Sequence, residues 1–434
     1  MSEDLQGMKS GFGQDGSRWV LMAGPRQRRF SRVATVAGVL TLFAVGVAPS
    51  AAADDVRSKQ WYLSAMKADD LWKSSTGVGI KVAVIDTGVS QTPSLKGRVE
   101  SGKDFSGVSG GPLDDYDSHG TTMAELIVGA GQGGLKGLAP GAEVISFRIG
   151  LGKRFEDKPN KPDRVPDAIR AAADSDAQII SMSFTSEYMS PTEKKAVQYA
   201  RSKGKLLFAG VGNDAEKKNY IGYPAAYPDV IGVSAADKTG KVAKYSEFGA
   251  FVDLAAPGLN IPHWCDATFR SYCDEGGGGT SSATAIASAS AALVWSKHPD
   301  WTANQVLRVL IDTAGRDWPK DEPSDYLGYG LIRPARNVVK GEGKPGPADV
   351  DPITNKKTPV AGPAADGAAP SASASAPAAS SQPSRKDASD DEAAAAVKSS
   401  DGGSGRLWPA LGGIAAVTVI AAGAFAAVRS RRRA

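Results

Sequence analysis

Five short apolar runs alternate with stretches of helical periodicity in the middle of the chain, and this alternation constrains the fold more than any other feature. Apolar runs separated by helices are typical of parallel strands, which are buried on both faces and need long crossover connections. We therefore predict an α/β fold whose central, mostly parallel β-sheet is flanked by helices. The strands are predicted at 80–85, 143–149, 178–184, 205–211 and 230–233, and the helices at 119–130, 166–173, 191–203, 280–297 and 303–313.

An uncharged stretch near the start of the chain has the pattern of an export signal. Four arginines precede the run 33–49, and the small residues Ser-Ala-Ala-Ala follow it. This order of charged, apolar and small residues predicts a signal peptide over residues 1–53, cleaved after Ala53, with either Met1 or Met22 as the start. An uncleaved anchor helix is the alternative, but the apolar run is short for a membrane span.

A second uncharged stretch, 407–428, is followed by four arginines within the tail 429–434. A helix of that length crosses a bilayer, and the positive-inside rule keeps a basic tail in the cytoplasm. A buried core helix is the alternative, but such a helix would not end in four arginines. We predict a single-pass protein of the cell membrane, with its folded body extracellular and its C-terminus cytoplasmic.

The segment that precedes this span differs in composition from the rest of the chain. Nearly two thirds of residues 341–406 are Ala, Ser, Pro or Gly, and none is aromatic. Such a segment buries too little apolar surface to offset the entropy of ordering, so we predict a disordered linker. Residues 54–340 are then one folded domain.

The charge distribution limits the partners that this domain can have. The net charge of the chain is +4, but the positive charge is concentrated at its two ends. The body lacks the basic surface that binding to nucleic acid requires, so we expect no nucleic-acid partner.

Four polar residues stand where chemistry is expected in a parallel sheet, at or beyond the carboxyl ends of strands. Asp86 ends an apolar strand, His119 begins a helical stretch, Asn213 follows a buried strand, and Ser281 follows a run of glycines at a helix start. Read singly, Asp86 and Asn213 have an ordinary interpretation as turn or cap residues and Ser281 as an N-cap, whereas His119 is a candidate base. Their order along the chain, Asp, His and Ser, is one of the orders that build a hydrolytic triad.

Taken together, these motifs resemble those of the subtilisin-like serine proteases, the subtilases of family S8. The resemblance covers residues 57–336 and implies a three-layer subtilisin-like fold. The layout of signal peptide, catalytic domain, linker, C-terminal span and basic tail resembles the mycosins, membrane-anchored subtilases associated with type VII secretion in actinobacteria. The segments that carry the family resemblance are Gln60-Trp61 with Trp72, Val-Ala-Val-Ile-Asp86-Thr-Gly, His119-Gly-Thr and Gly-Thr-Ser281.

The resemblance implies a role for each of the four polar residues. Ser281 would be the nucleophile, His119 the base that takes its proton, and Asp86 the group that holds the imidazole in the correct tautomer. Asn213 would stabilise the oxyanion together with the backbone N–H of Ser281.

The resemblance also implies a substrate-lining strand formed by Ser183, Phe184 and Thr185, whose backbone would pair with an extended peptide. A glycine is usual at the position of Thr185 in the family. We expect this branched side chain to narrow the specificity pocket and to favour small substrate residues.

Two cysteines, Cys265 and Cys273, lie close together before the nucleophile. In an exported protein a disulfide is the natural interpretation, and two free thiols or a metal pair are the alternatives. The carboxylates Asp114, Asp115 and Asp117 could tune the histidine or bind a cation, but we favour a solvated loop. We expect no metal ion and no cofactor.

The sequence thus predicts a membrane-anchored extracellular serine endopeptidase that hydrolyses peptide bonds of protein substrates. Its expected partners are protein or peptide substrates, the membrane through the C-terminal span, and components of the type VII secretion system. The alternative is a structural component of the secretion complex with little or conditional proteolytic activity. The intact set of four catalytic positions favours the enzyme.

Overall fold

The computed structural model describes residues 56–151, 164–274 and 276–358. The strands are β1 Lys81–Asp86, β2 Val99–Asp104, β3 Glu143–Arg148, β4 Ile179–Met182, β5 Leu206–Gly210, β6 Ile231–Ala236, β7 Leu254–Pro257, β8 His263–Trp264 and β9 Tyr272–Cys273. The helices are α1 Trp61–Ala65, α2 Ala68–Trp72, α3 His119–Val128, α4 Val165–Asp174, α5 Pro191–Ser202, α6 Thr280–Lys297, α7 Ala303–Thr313 and α8 Pro334–Val338.

The main sheet has seven strands in the order β2-β3-β1-β4-β5-β6-β7, and every pairing in it is parallel. Its inner strands are apolar on both faces, as the buried runs of β4, β5 and β6 show. Helices cover both faces, so the predicted α/β fold is confirmed. β1 pairs with β3 on one side and with β4 on the other, which places the carboxyl end of β1 at the point where the strand order reverses. Ligands bind at such switch points in open α/β sheets.

The two faces of the sheet are packed by different helices. On one face, α3, α6 and α7 contribute to a large apolar core, and on the other α4 and α5 build a smaller one. Alanine and serine dominate α6, which is buried almost throughout. Small side chains let this helix lie close beneath the strands. The close packing fixes the positions of the residues in the first turn of the helix.

The two strands at the edges of the sheet, β2 and β7, were not among the predicted elements. β2 is half exposed, and its residues Val-Glu-Ser-Gly-Lys-Asp show no apolar alternation. β7 has four residues, Leu-Ala-Ala-Pro, and is too short for a periodic signal. Both strands owe their conformation to pairing with a neighbour, which the local sequence does not encode.

The predicted linker 341–406 is wrong in its first part, because residues 341–358 pack against the domain. Asp351 is buried and pairs with Arg201 across 2.7 Å between Oδ2 and Nη2. Backbone carbonyl groups of this segment also accept hydrogen bonds from side chains in and just before α7. Polar contacts of this kind leave no apolar pattern in the sequence. The folded domain therefore extends to at least residue 358, and residues 359–406 lie outside the described part.

The predicted signal peptide 1–53, the predicted span 407–428 and the tail 429–434 also lie outside the described residues. Within the described ranges, no helix has both the length and the apolar character that crossing a membrane requires.

Candidate active site

Asp86 and His119 are brought into contact at the carboxyl end of β1. Asp86 is the last residue of β1 and His119 the first of α3, and the His119 Nδ1 lies 2.7 Å from the Asp86 Oδ1. The same carboxylate oxygen accepts a hydrogen bond from the backbone N–H of Thr87 at 2.7 Å. The Asp86 side chain is 1% exposed and that of His119 is 31% exposed. A buried carboxylate thus orients an imidazole whose other edge faces solvent.

The electrostatics of this pair favour a charged imidazole. Burial lowers the pKa of His119, but the charge of Asp86 and its hydrogen bond outweigh that effect and raise the pKa to about 9. At neutral pH the imidazole is therefore protonated and paired with the carboxylate. It becomes a free base only when the pH rises towards 9.

Ser281 lies in the same cleft as His119. It is the second residue of α6, and the cleft of about 380 Å³ is lined by both side chains. The Ser281 Oγ donates a hydrogen bond to the carbonyl oxygen of Ser183 at 3.1 Å, and the Ser183 Oγ donates one to the carbonyl oxygen of Ser281 at 3.1 Å. The hydroxyl of Ser281 must therefore turn away from Ser183 before it can give a proton to an imidazole.

Asn213 stands beside the start of α6 with its amide oriented by a backbone contact. Its Oδ1 accepts the N–H of Thr280 at 2.9 Å, which leaves the amide nitrogen to donate elsewhere. Gly279, just before α6, has a φ of +146°, and a Cβ there would come within 3.2 Å of the Asn213 Oδ1. The first N–H groups of a helix have no partner within the helix, so the backbone N–H of Ser281 is a second donor on this side.

The three residues predicted to line the substrate differ in their positions. Ser183 contacts Ser281, as described above, whereas Phe184 packs against the smaller core. Thr185 lies over Gly222, where an added Cβ would come 2.5 Å from the Thr185 Oγ1. The structure therefore brings Ser183 into contact with Ser281 and places Thr185 against Gly222.

A hairpin formed by β8 and β9 forms one wall of the cleft. Cys265 and Cys273 are joined by a disulfide at its base, and the rings of Trp264 and Tyr272 stack with centroids 3.8 Å apart. Among the residues that the structure describes, no group of three or more His, Cys, Asp or Glu side chains could hold a metal ion.

The interpretation of the acidic segment as a solvated loop is wrong for Asp115. Its side chain is 6% exposed, while Asp114 and Asp117 are exposed at the surface. It accepts hydrogen bonds from the first turn of α3, including the N–H of Ser118 at 2.9 Å and that of Thr121 at 2.8 Å. Its position a few residues before a predicted helix start is the signal that could have identified this role, because carboxylates there reach the free N–H groups of the first turn.

Comparisons with a protein family and with known proteins both indicate a subtilase. The family model described as "Subtilase family" (Peptidase_S8) matches residues 77–330. Subtilisin BL of Lederbergia lenta is 33% identical over 262 residues, which is 59% of this chain and 92% of that protein.

Two solved structures extend the comparison. The MycP3 protease from the type VII (ESX-3) secretion system has a TM-score of 0.55 and 30% identity, with 64% of this chain and 87% of that one covered. The serine protease MycP1, described as an essential component of the type VII (ESX-1) secretion system, has a TM-score of 0.55 and 28% identity, with 67% of this chain and 90% of that one covered. A match that spans more than half of the sequence and every strand of the main sheet establishes that this chain belongs to the subtilase family of serine proteases.

Proposed function

We propose that Ser281, His119 and Asp86 are the nucleophile, the base and the orienting carboxylate of a serine endopeptidase. The observation that carries this proposal is the 2.7 Å contact between Asp86 and His119 in a cleft that also holds Ser281. A carboxylate fixes the imidazole so that its other nitrogen, Nε2, is presented to a hydroxyl.

The reaction then proceeds in two proton-balanced halves. The hydroxyl of Ser281 turns from the carbonyl of Ser183 to His119, gives its proton to Nε2, and Oγ attacks the peptide carbonyl carbon. The amide N–H of Asn213 and the backbone N–H of Ser281 stabilise the oxyanion. His119 returns the proton to the leaving amine as the C–N bond breaks. Water then repeats these steps on the acyl group and releases Ser281.

The substrate is a protein or peptide segment in extended conformation. The backbone from Ser183 to Thr185 would pair with it as an added strand, which gives affinity without demanding a particular sequence. The branched side chain of Thr185 would narrow the adjoining subsite, and this would favour small substrate side chains there.

We propose further that the enzyme is anchored in the cell membrane with its domain outside, and that it works beside a type VII secretion system. The support is the signal and span patterns of the sequence, together with the likeness to the MycP3 and MycP1 proteases of such systems.

The catalytic proposal is tested by labelling the full chain, in membranes or detergent, with a fluorophosphonate probe that reacts with activated serines. We expect labelling that is lost in Ser281→Ala and retained in Ser202→Ala, which removes an exposed hydroxyl on α5. Equal labelling of Ser281→Ala, or none in the folded parent, contradicts the proposal.

A second experiment separates the enzyme from a structural component of a secretion complex. Cells that carry the parent, Ser281→Ala or a deletion are compared for the amount and the cleavage state of secreted proteins by mass spectrometry. The enzyme predicts uncleaved substrates in Ser281→Ala. Normal processing in Ser281→Ala and loss of secretion only in the deletion would favour the structural role.

A further inference from the structure

The side chain of Asp115 lies beneath the junction between the end of β1 and the start of α3, the two elements that supply Asp86 and His119. It accepts five hydrogen bonds although it is 6% exposed. The donors are the Thr87 hydroxyl at 2.8 Å, the N–H groups of Asp117 and Ser118 at 2.9 Å each, and the N–H and hydroxyl of Thr121 at 2.8 and 2.7 Å.

One of these donors connects Asp115 to the strand side of the junction. The Thr87 N–H bonds the Asp86 carboxylate at 2.7 Å, and the Thr87 Oγ1 accepts the N–H of Gly120 at 2.9 Å. Asp115 therefore holds the residue that follows Asp86 and, directly and through Thr87, the first turn of the helix that carries His119.

The chain between Asp115 and His119 requires such support. Ser118 has a φ of +98°, a region that residues with a side chain rarely adopt and that costs about 1–2 kcal/mol. Its N–H is bonded by Asp115 and its hydroxyl donates to the carbonyl oxygen of Trp264 at 3.4 Å. The helix therefore begins at His119 because these contacts hold a strained residue in place.

We propose that Asp115 is a positioning residue, which fixes the distance between Asp86 and His119 by holding the first turn of α3 against the end of β1. This inference rests on the proposed function of that pair. All five contacts come from N–H or O–H donors, so the site needs a group that only accepts. An asparagine has nearly the same shape, but its NH₂ group would face donors in either orientation.

The test compares two Asp-to-Asn variants that remove the same charge. Burial lowers the pKa of His119 and Asp86 raises it; the carboxylates of Asp117 and Asp115 also raise it, and Asp117 does so more strongly than Asp115. If charge alone matters, Asp117→Asn lowers the pKa of His119 at least as far as Asp115→Asn. If Asp115 positions the pair, the order is reversed, because Asp115→Asn also displaces the imidazole from Asp86.

The measurement is an NMR titration of isotope-labelled imidazoles in the full chain, which contains three histidines. It needs no catalytic activity, so it distinguishes failure of this inference from failure of the proposed function. We expect Asp115→Asn to give the larger fall in the His119 pKa. An equal or smaller fall than in Asp117→Asn overturns the inference.

Kinetics supply a second readout. We expect Asp115→Asn to lower kcat at high pH by about ten- to hundredfold with KM changed less than threefold, as a misplacement of about 1 Å does. Asp114→Asn, which removes an exposed carboxylate bonded to the N–H of Gly111, should leave kcat unchanged. Equal kcat in both variants overturns the inference.

A further variant covers the case in which Asp115→Asn does not fold. Thr87→Val keeps the shape and the net charge but removes the hydroxyl that connects Asp115 to the end of β1. We expect a lower pKa of His119 and a lower kcat in folded Thr87→Val, as judged by circular dichroism. Parent values for both quantities in this variant overturn the inference.

Discussion

Helices α3 and α6 each begin beside a residue that the proposed reaction requires, but the two helix starts are held by different physical means. At α3, His119 is fixed by its contact with Asp86 and by the hydrogen bonds that Asp115 accepts from N–H groups at the start of the helix. At α6, no side chain caps the helix, and Ser281 follows Gly278 and Gly279, which have positive φ angles of +102° and +146°.

The packing of the two helices shows the same contrast. The buried side of α3 includes Glu125, a carboxyl that accepts hydrogen bonds from Thr92 and Tyr272. Burial raises the pKa of Glu125 to about 7. By contrast, α6 is buried through alanine and serine against the sheet.

The contrast indicates how each helix start should respond to change. Charges and hydrogen bonds determine the position and the pKa of His119. Its protonation should therefore change with pH, and its position and pKa with isosteric polar substitutions. The positions of Ser281 and of the proposed oxyanion donors depend on backbone shape and close packing, so they should respond to added or removed side-chain volume.

The largest effect on kcat is expected from Asp86→Asn, which replaces the carboxylate that contacts His119. The amide favours the wrong tautomer of His119, and we expect kcat to fall about 10⁴-fold. The pKa of His119 should also fall, because Asp86 is the strongest of the groups that raise it. Steady-state kinetics across pH measures both effects. Asp69→Asn, an exposed residue of α2, is the matched control, and a loss below tenfold in Asp86→Asn would contradict the proposed role.

The next effect concerns the α6 side of the site. Asn213→Ala removes one of the two proposed oxyanion donors, and we expect kcat to fall about 10²- to 10³-fold with little change in KM. The control is Asn219→Ala, an exposed asparagine bonded to Phe248. The measurement is steady-state kinetics with a peptide substrate. A loss in kcat of less than threefold would exclude Asn213 as a donor to the transition state.

The pH dependence of the parent protein tests the electrostatics at the start of α3, where His119 lies. The proposed reaction needs neutral His119. Because Asp86 raises the pKa of His119 to about 9, the neutral form becomes abundant only as the pH rises towards that value. We expect kcat/KM to increase about a hundredfold from pH 7 to its plateau, with a midpoint near pH 9. A midpoint near pH 6.5, the ordinary pKa of histidine, would show that Asp86 does not raise the pKa of His119.

A smaller effect, about tenfold in kcat, is expected from Gly279→Ala, which adds volume at the start of α6. The new Cβ would crowd the Asn213 Oδ1 at 3.2 Å, in a backbone conformation that strains alanine. Gly97→Ala is the matched control, because its φ is +72° and its Cβ would meet nothing within 4 Å. Both variants should unfold at a lower temperature than the parent, but only Gly279→Ala should lose activity. Equal kcat in the two variants would contradict steric control of the start of α6.

Much of this architecture could be predicted from short stretches of sequence. The predicted bounds of α6 and α7 agree with the structure, because the glycine run before α6 and the apolar periodicity and N-cap of α7 are local properties. The strands β1, β3, β4, β5 and β6 were found within a few residues for the same reason. The pairing of Asp86 with His119 could also be anticipated, because the resemblance to the subtilisin-like proteases implies that Asp86 orients His119.

Contacts between distant parts of the chain could not be anticipated in this way. The segment 341–358 resembles a linker in composition, yet Asp351 finds Arg201 at a distance of 150 residues along the chain. The hydroxyl of Ser281 bonds a carbonyl on another element, which the motif Gly-Thr-Ser does not reveal.

The sequence by itself determined the parallel sheet and the identities of the polar residues at its carboxyl edge, because apolar periodicity and motif spacing act within a few residues. Only the tertiary structure decided that Asp115 is buried beneath the helix start rather than solvated like Asp114. The physical reason is that burial of a carboxylate depends on donors from several elements arriving together, here the end of β1 and the first turn of α3.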